Sequence, residues 1–398
     1  MINVSKLYCG APGHSDQLRY SNDDSIGPVV VYNCTPECNL GCRHCYSFSE
    51  KAASDATLTT QQAKDLLGQL KAERVPVVLF SGGEPLLRKD IFQLLEYACY
   101  LNLTTAISTN GTLITPEIAK KLTDANVSYA GISIDGPEGF HDDFRRCAGS
   151  HKAALAGLEN CRNQGIKTGL RFTITTENSR HITFIFELAV SLGTRRICFY
   201  HLIGAGRAKQ LIDRRPSAAQ SRRIVDTIIT ETKKYTDQNL LDEVLTVGNH
   251  ADGPYLLLKL EKTARENPAK TKTLEQTRKL LTANGGNRIG EKIIAVGHDG
   301  NVYPDQFWTN YSLGSIKQNS FRKIRKTTSD PVMYNLLHKD TFVHRRCRQC
   351  RFFSLCKGNY RFLTKNPNSE NWLNEPPCYL TDEEILHKPQ ITNQEILL

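Results

Sequence analysis

Between residues 28 and 203 the chain alternates six times between short β-branched apolar runs and helix-length segments, and few folds accommodate that rhythm. The runs cover residues 29–33, 75–81, 104–109, 129–134, 168–175 and 196–202. Each reads as a continuous apolar stretch, which predicts strands of a parallel sheet covered on both faces. The intervening segments carry helix signals. Leu66, Leu67 and Leu70 mark one helical face, and Thr115 followed by Pro116 is a capping hydroxyl with proline at the first helical position. Six such units build an open doubly wound sheet or an incomplete barrel, and in both the chemistry belongs at the C-terminal ends of the strands. Past Gly206 the pattern shifts to polar helices over 217–238 and 253–281. The expected organisation is an N-terminal extension (1–27), a barrel (28–207), a helical linker or cover (208–289) and a small C-terminal domain (290–398).

The cysteines sharpen this. Seven of thirteen fall in two tight groups, while Cys9, Cys34, Cys99, Cys147, Cys161 and Cys198 are scattered and read as small buried hydrophobes. Residues 1–20 lack a basic start and an apolar h-region, and no apolar run reaches the roughly 20 residues that span a bilayer. That reading places the chain in the reducing cytoplasm, where clustered cysteines hold metal more often than they form disulfides. Cys38-x3-Cys42-x2-Cys45 follows the first strand. Three thiolates can hold three irons of a four-iron cluster and leave the fourth open to a ligand. A zinc site completed by His44 is the alternative. Cys347-x2-Cys350-x5-Cys356 with Cys378 supplies four thiolates, enough for a fully ligated auxiliary cluster or for a zinc ribbon. After the second strand comes Ser81-Gly82-Gly83-Glu84-Pro85, in which glycines admit close backbone approach and Glu84 can accept from an ammonium. A net charge of +10 favours an anionic partner without naming it, and the basic runs at 322–326 and 345–351 read equally as solvated faces.

Over residues 28–207 the loop Cys38-Asn39-Leu40-Gly41-Cys42-Arg43-His44-Cys45-Tyr46 resembles the cluster loop of the radical S-adenosylmethionine superfamily. The resemblance implies an α/β fold, a partial (β/α)6 TIM-like barrel, with S-adenosyl-L-methionine bound through its amino and carboxylate groups to the open iron of a 4Fe-4S cluster. Reductive cleavage then gives a 5′-deoxyadenosyl radical, which requires an external one-electron donor. It further implies Tyr46 near the adenine, Gly82, Gly83 and Glu84 at the methionine amino group, and Ser108, Thr109, Asn110, Ser133 and Asp135 near the ribose. Arg171 would face the methionine carboxylate. The C-terminal cysteines resemble the superfamily's SPASM/twitch auxiliary-cluster domains, and residues 294–316 resemble the hairpin that precedes them. Asp305 stands where two-cluster versions have cysteine, so a single auxiliary 4Fe-4S cluster is expected.

Residues 29–35, 249–254, 301–308 and 378–384 resemble the tetrapyrrole-modifying branch of that superfamily. This implies an anionic iron tetrapyrrole substrate and removal of two acetate side chains from 12,18-didecarboxysiroheme to give Fe-coproporphyrin III. The alternative within the branch is removal of propionates from the same precursor on the way to haem d1. Arg145, Arg146 and Arg207 are candidate carboxylate clamps, because guanidinium forks bind carboxylates bidentately. His250 is a candidate iron ligand or donor, and Asp252 and Asp305 are candidate proton donors or caps. A peptide-modifying radical enzyme would share both cysteine groups but commonly adds a leader-binding domain, which the short segment before Pro28 does not suggest. A non-enzymatic metal scaffold binding nucleic acid through its basic surface would have no use for the Gly82-Gly83-Glu84 turn.

Overall fold

The computed structural model describes residues 1–11, 16–21, 23, 25–47, 57–308, 310–327, 329–359 and 378–386. The remainder of the expected N-terminal extension and C-terminal domain lies outside the described residues. Among them run eleven strands, β1 (Ile2–Asn3), β2 (Val29–Thr35), β3 (Val78–Gly82), β4 (Thr105–Thr109), β5 (Val127–Ser133), β6 (Lys167–Ile174), β7 (Arg196–His201), β8 (Glu243–Val247), β9 (Ile293–Val296), β10 (Asn301–Tyr303) and β11 (Gly314–Ser315). They form one sheet in the order β1-β8-β7-β6-β5-β4-β3-β2-β9-β10-β11. The six expected strands are β2 to β7, each pairing in parallel with the next. The order never closes, so the barrel is partial.

The sheet extends on both sides of those six. β8 continues it in parallel beyond β7, inside the stretch expected to be purely helical cover, and β1 pairs antiparallel with β8. On the other side β9 pairs in parallel with β2, with Val29 opposite Ile293, so the sheet runs across the expected boundary at residue 290. A separate small core of Ile289, Trp308, Val332, Met333, Leu336 and Val343 underlies that C-terminal part.

The strands are not apolar on both faces. Phe80, Ile107, Ile132, Phe172 and Phe199 on the outer face are fully buried in the main core with helix residues such as Leu66, Leu94, Leu158 and Phe186. Each such side chain contributes about 1.5–3 kcal/mol on burial. The alternate residues face the barrel interior and many are polar. Gly131 and Gly169 make room there: a Cβ on Gly169 would stand 2.2 Å from the Tyr129 hydroxyl, and one on Gly131 would stand 2.8 Å from Cδ of Arg171. Across that space the Arg196 guanidinium lies over the Tyr129 ring, 4.4 Å from its centroid. Arg196 also pairs with Glu243 at 3.2 Å, and Glu243 with Arg19 at 2.7 Å. Of the scattered cysteines, Cys34, Cys161 and Cys198 are buried as expected, whereas Cys9, Cys99 and Cys147 sit in half-buried positions near the surface.

Candidate active site

The loop that carries Cys38, Cys42 and Cys45 leaves β2 at the C-terminal face and is suspended from its neighbours by backbone. Gly41 N–H donates to the carbonyl of Arg145 (3.2 Å) and Arg43 N–H to that of Phe144 (3.0 Å), so the loop hangs on the last turn of the helix Glu138–Arg145. From the far side, Nε of Arg207 donates to the Cys42 carbonyl (2.9 Å) and Ala208 N–H to that of Cys45 (3.3 Å). Gly206, with φ +56°, presses so close that a Cβ would stand 2.5 Å from the Tyr46 carbonyl oxygen. His44 is not directed to the thiols as a fourth ligand. Its ring stacks on Phe144 with centroids 4.4 Å apart, and its Nε2 lies 3.5 Å from Asp135. Burial, followed by the charges of Asp135 and nearby arginines, leaves the His44 pKa at about 4.

Among the described residues no three Cys, His, Asp or Glu side chains already converge as a metal cage. The fit to a cluster rests instead on donor chemistry: three thiols outside any disulfide on one short loop, near enough that a thiolate charge on Cys45 raises the pKa of both Cys38 and Cys42. The Cys42 thiol is pushed up to about 11, chiefly by burial. Such thiols gain from a metal that takes the proton's place.

The Ser-Gly-Gly-Glu-Pro turn passes directly behind this loop. Gly83 and Glu84 N–H groups donate to the carbonyls of Thr35 and Glu37, both at 2.7 Å. A Cβ on Gly83 would lie 1.9 Å from the Glu37 oxygen, and one on Gly82, where φ is +128°, 2.4 Å from the Thr35 oxygen. Glycine is therefore required at both. Glu84 is fully buried, and its carboxylate accepts from Oγ1 of Thr109 (2.7 Å), Asn110 N–H (2.8 Å) and Leu86 N–H (3.3 Å). Burial outweighs these donors and raises its pKa to about 7.

Other expected contacts divide into two groups. Ser81 meets Tyr46, hydroxyl to hydroxyl, at 3.0 Å. Ser108, Gly131 and Ser133 lie on the register rows of β4 and β5 that run beside Arg171, whose guanidinium donates to the Tyr200 hydroxyl and lies 4.8 Å from that ring's centroid. The second group is occupied by protein. Nδ2 of Asn110 donates to Asn39 (2.8 Å), while its Oδ1 accepts from Thr112. Asp135 is fully buried, with Oδ2 held by Nε and Nη2 of Arg145 (2.9 and 2.6 Å) and Oδ1 by Thr173 N–H (3.0 Å). Arg145, expected as a carboxylate clamp, is itself 6% exposed. Its helix ends against the cluster loop, which turns the side chain inward. Arg146 is exposed, with its stem along Gly41.

Above Tyr46, Phe307 packs edge-on at 5.1 Å and joins Ile203 and Ala205 in an apolar cluster at the barrel mouth. Asp305 is a cap: its Oδ1 accepts from Phe307 N–H at 2.8 Å. Asp252, fully buried, accepts from the Tyr379 hydroxyl (2.6 Å) and pairs with Nε2 of His201 (3.0 Å). His250 is buried beside it, and its N–H donates to Asn359. His201, Tyr200, Phe307 and Tyr379 were not among the expected site residues, although His201 and Tyr200 stand at a strand C-terminus, where barrel chemistry resides. Beyond Asp252, residues Cys347, Cys350, Cys356 and Cys378 line one shared cavity together with Pro254 and Phe352. That donor set fits a fully ligated cluster.

A partial parallel barrel whose first loop bears these three thiols, backed by a glycine-built turn with a buried glutamate, defines a radical S-adenosylmethionine enzyme. Residues 32–189 match the Radical SAM superfamily, and the chain belongs to it, with S-adenosylmethionine and a 4Fe-4S cluster as cofactors. It is 42% identical to the Fe-coproporphyrin III synthase of Methanosarcina barkeri, over 97% of this chain and 99% of that one. It is 35% identical to the Pre-heme d1 synthase of Dinoroseobacter shibae, over 93% and 91%. In fold it resembles Streptococcus suis SuiB bound to S-adenosylmethionine, with a TM-score of 0.66 at 18% identity over 89% of this chain and 78% of that one. No helix among the described residues is long and apolar enough to cross a membrane.

Proposed function

We propose that this enzyme removes two acetate side chains from 12,18-didecarboxysiroheme to give Fe-coproporphyrin III. The observation that carries the reading is end-to-end similarity to an Fe-coproporphyrin III synthase, covering both cysteine groups and the segments between them. Cys38, Cys42 and Cys45 hold the cluster, and Glu84, backed by Gly82 and Gly83, accepts from the methionine amino group. Arg171, braced by Tyr200, receives the methionine carboxylate, and Tyr46 lies along the adenine. When bound, cluster and cofactor supply a 5′-deoxyadenosyl radical from one electron delivered by an external donor.

The protein's own work is to orient and to exclude water. Phe307, Ile203 and Ala205 form a buried apolar cluster packed against Tyr46, which keeps water from that side of the barrel mouth. Arg146 is the exposed candidate for a substrate carboxylate, whereas Arg207 already spends its Nε on the cluster loop. Cys347, Cys350, Cys356 and Cys378 hold the auxiliary 4Fe-4S cluster, and thirteen free thiols suit a reducing compartment such as the cytoplasm. To test the assignment, the anaerobically reconstituted protein is given reductant, S-adenosylmethionine and 12,18-didecarboxysiroheme, and the tetrapyrrole product is identified by mass. Fe-coproporphyrin III is expected. Loss of propionates would transfer the chain to the haem d1 reaction, and an unchanged precursor with intact clusters would refute both.

A further inference from the structure

Beneath the cluster loop lies a buried charge pair that the substrate reading does not use. Nη1 of Arg145 lies 3.8 Å from Sγ of Cys42, within hydrogen-bond range for sulfur, and the guanidinium's other edge is forked onto Asp135. Asp135 cannot move to follow a displaced partner. It lies two residues past β5, its Oδ1 accepts from Thr173 N–H, and its own N–H donates to Nδ1 of His141 (3.2 Å). Arg145 grips the loop a second time through its carbonyl, which accepts from Gly41 N–H.

Arg145 also acts on the Cys38 thiol and on the Glu84 carboxyl. Facing the pair are His44 from the loop and His141 from the helix Glu138–Arg145. The His44 ring stacks on Phe144 with Nε2 toward Asp135, and Nδ1 of His141 accepts from Asp135 N–H, so both rings are turned to Asp135. Arg207 reaches the loop at the Cys42 carbonyl, and Arg43 is turned outward to Asp143 and Glu177. The side-chain donor facing the Cys42 sulfur is Nη1 of Arg145, and Asp135 pairs the charge of that guanidinium.

We infer that Arg145 is a positioning residue for the barrel's iron–sulfur cluster that sets its reduction potential: it donates to the Cys42 thiolate, while Asp135 holds it in place and offsets its charge. The inference rests on the reading that Cys38, Cys42 and Cys45 ligate the cluster. Reduction adds one electron and breaks no bond, and part of the added charge falls on the cluster sulfurs. A fixed donor to a ligand sulfur stabilises the reduced form, as hydrogen bonds and net charge do at such clusters generally. Asp135 moderates the effect, because an unbalanced guanidinium at that depth would stabilise the reduced form further. On this view Arg145, the first residue before Arg146 at the barrel mouth, serves the cofactor and not the substrate.

The test uses full-length protein reconstituted with iron and sulfide, as wild type, Arg145→Met, Arg145→Lys and Asp135→Asn. Midpoint potentials come from redox titration followed by electron paramagnetic resonance. The barrel cluster is identified as the signal that changes on adding S-adenosylmethionine, since only it has an open iron. Arg145→Met is expected to shift that midpoint to more negative potential, Arg145→Lys to shift it less in the same direction, and Asp135→Asn to shift it positively, all at wild-type iron content. Arg145→Lys and Asp135→Asn keep the test decisive if Arg145→Met, which strands a buried carboxylate, does not fold. Unchanged midpoints in variants with a cofactor-responsive signal would overturn the inference, as would iron loss with no shift in the remaining cluster. A wild-type protein with no cofactor-responsive signal would instead refute the underlying cluster assignment.

Discussion

Glu84 shows how a single side chain is prepared by its burial. Its carboxyl is raised from 4.5 to about 7, so the folded apo-protein binds this proton more tightly than the unfolded chain does. Stability associated with the protonated form is fully present below pH 4.5 and is lost as pH rises through about 7, by an amount on the order of 3 kcal/mol. Replacing Glu84 by Gln removes the charge. The unfolding free energy of the apo-variant relative to wild type is therefore expected to move in the variant's favour between pH 5 and 8, measured by urea titration, while its affinity for S-adenosylmethionine falls. Gly83→Ala has a steric outcome: with its Cβ 1.9 Å from the Glu37 oxygen, the turn must separate from the cluster loop. Iron content and the visible absorbance of the reconstituted variant should both drop. The need for glycine at 82 and 83 was legible in the sequence because glycine next to a strand end has a backbone meaning independent of context. Arg145 and Asp135 were not. Spacing placed them near the cofactor, but which way a guanidinium turns depends on where its helix ends, and here it ends against the loop.

At the scale of elements, strands β2 to β7 could be read from their apolar runs, while β8 could not. It is five residues long, follows the polar turn around Asn239 and Asp242, and begins with Glu243, whose charge is balanced by Arg19 and Arg196 from distant parts of the chain. The expectation of apolar residues on both faces failed for a related reason. A partial barrel has an interior, and Tyr129, Arg171, Arg196 and Tyr200 on its strands are polar residues that a sandwiched sheet would exclude. The helix Asp252–Glu266 joins the two halves of the site, because Asp252 at its start holds both His201 of the barrel and Tyr379 beside Cys378. Asp252→Ala strands the buried Tyr379 hydroxyl and the half-buried His201 ring, and thermal or chemical unfolding should show a loss of about 2 kcal/mol. Tyr379→Phe removes one of them and should cost less.

Across the whole molecule, one sheet carries the Cys38–Cys45 loop, after β2, and the C-terminal strands β9 to β11 that lead to the second cysteine group. Both cysteine groups were legible from spacing alone, whereas the continuity of the sheet through residue 290 was not, since parallel pairing between strands some 260 residues apart leaves no local trace. Loaded protein should carry about eight irons per chain, and replacing Cys347, Cys350, Cys356 and Cys378 by Ala should leave about four, with the response of the remaining cluster to S-adenosylmethionine retained. The most direct test of a shared active site is to count 5′-deoxyadenosine against tetrapyrrole product in one anaerobic reaction. The expected result is tetrapyrrole-dependent cofactor cleavage, with one 5′-deoxyadenosine for each acetate removed and none in Cys38→Ala. Cofactor cleavage that proceeds at the same rate with and without 12,18-didecarboxysiroheme, leaving the tetrapyrrole intact, would contradict it.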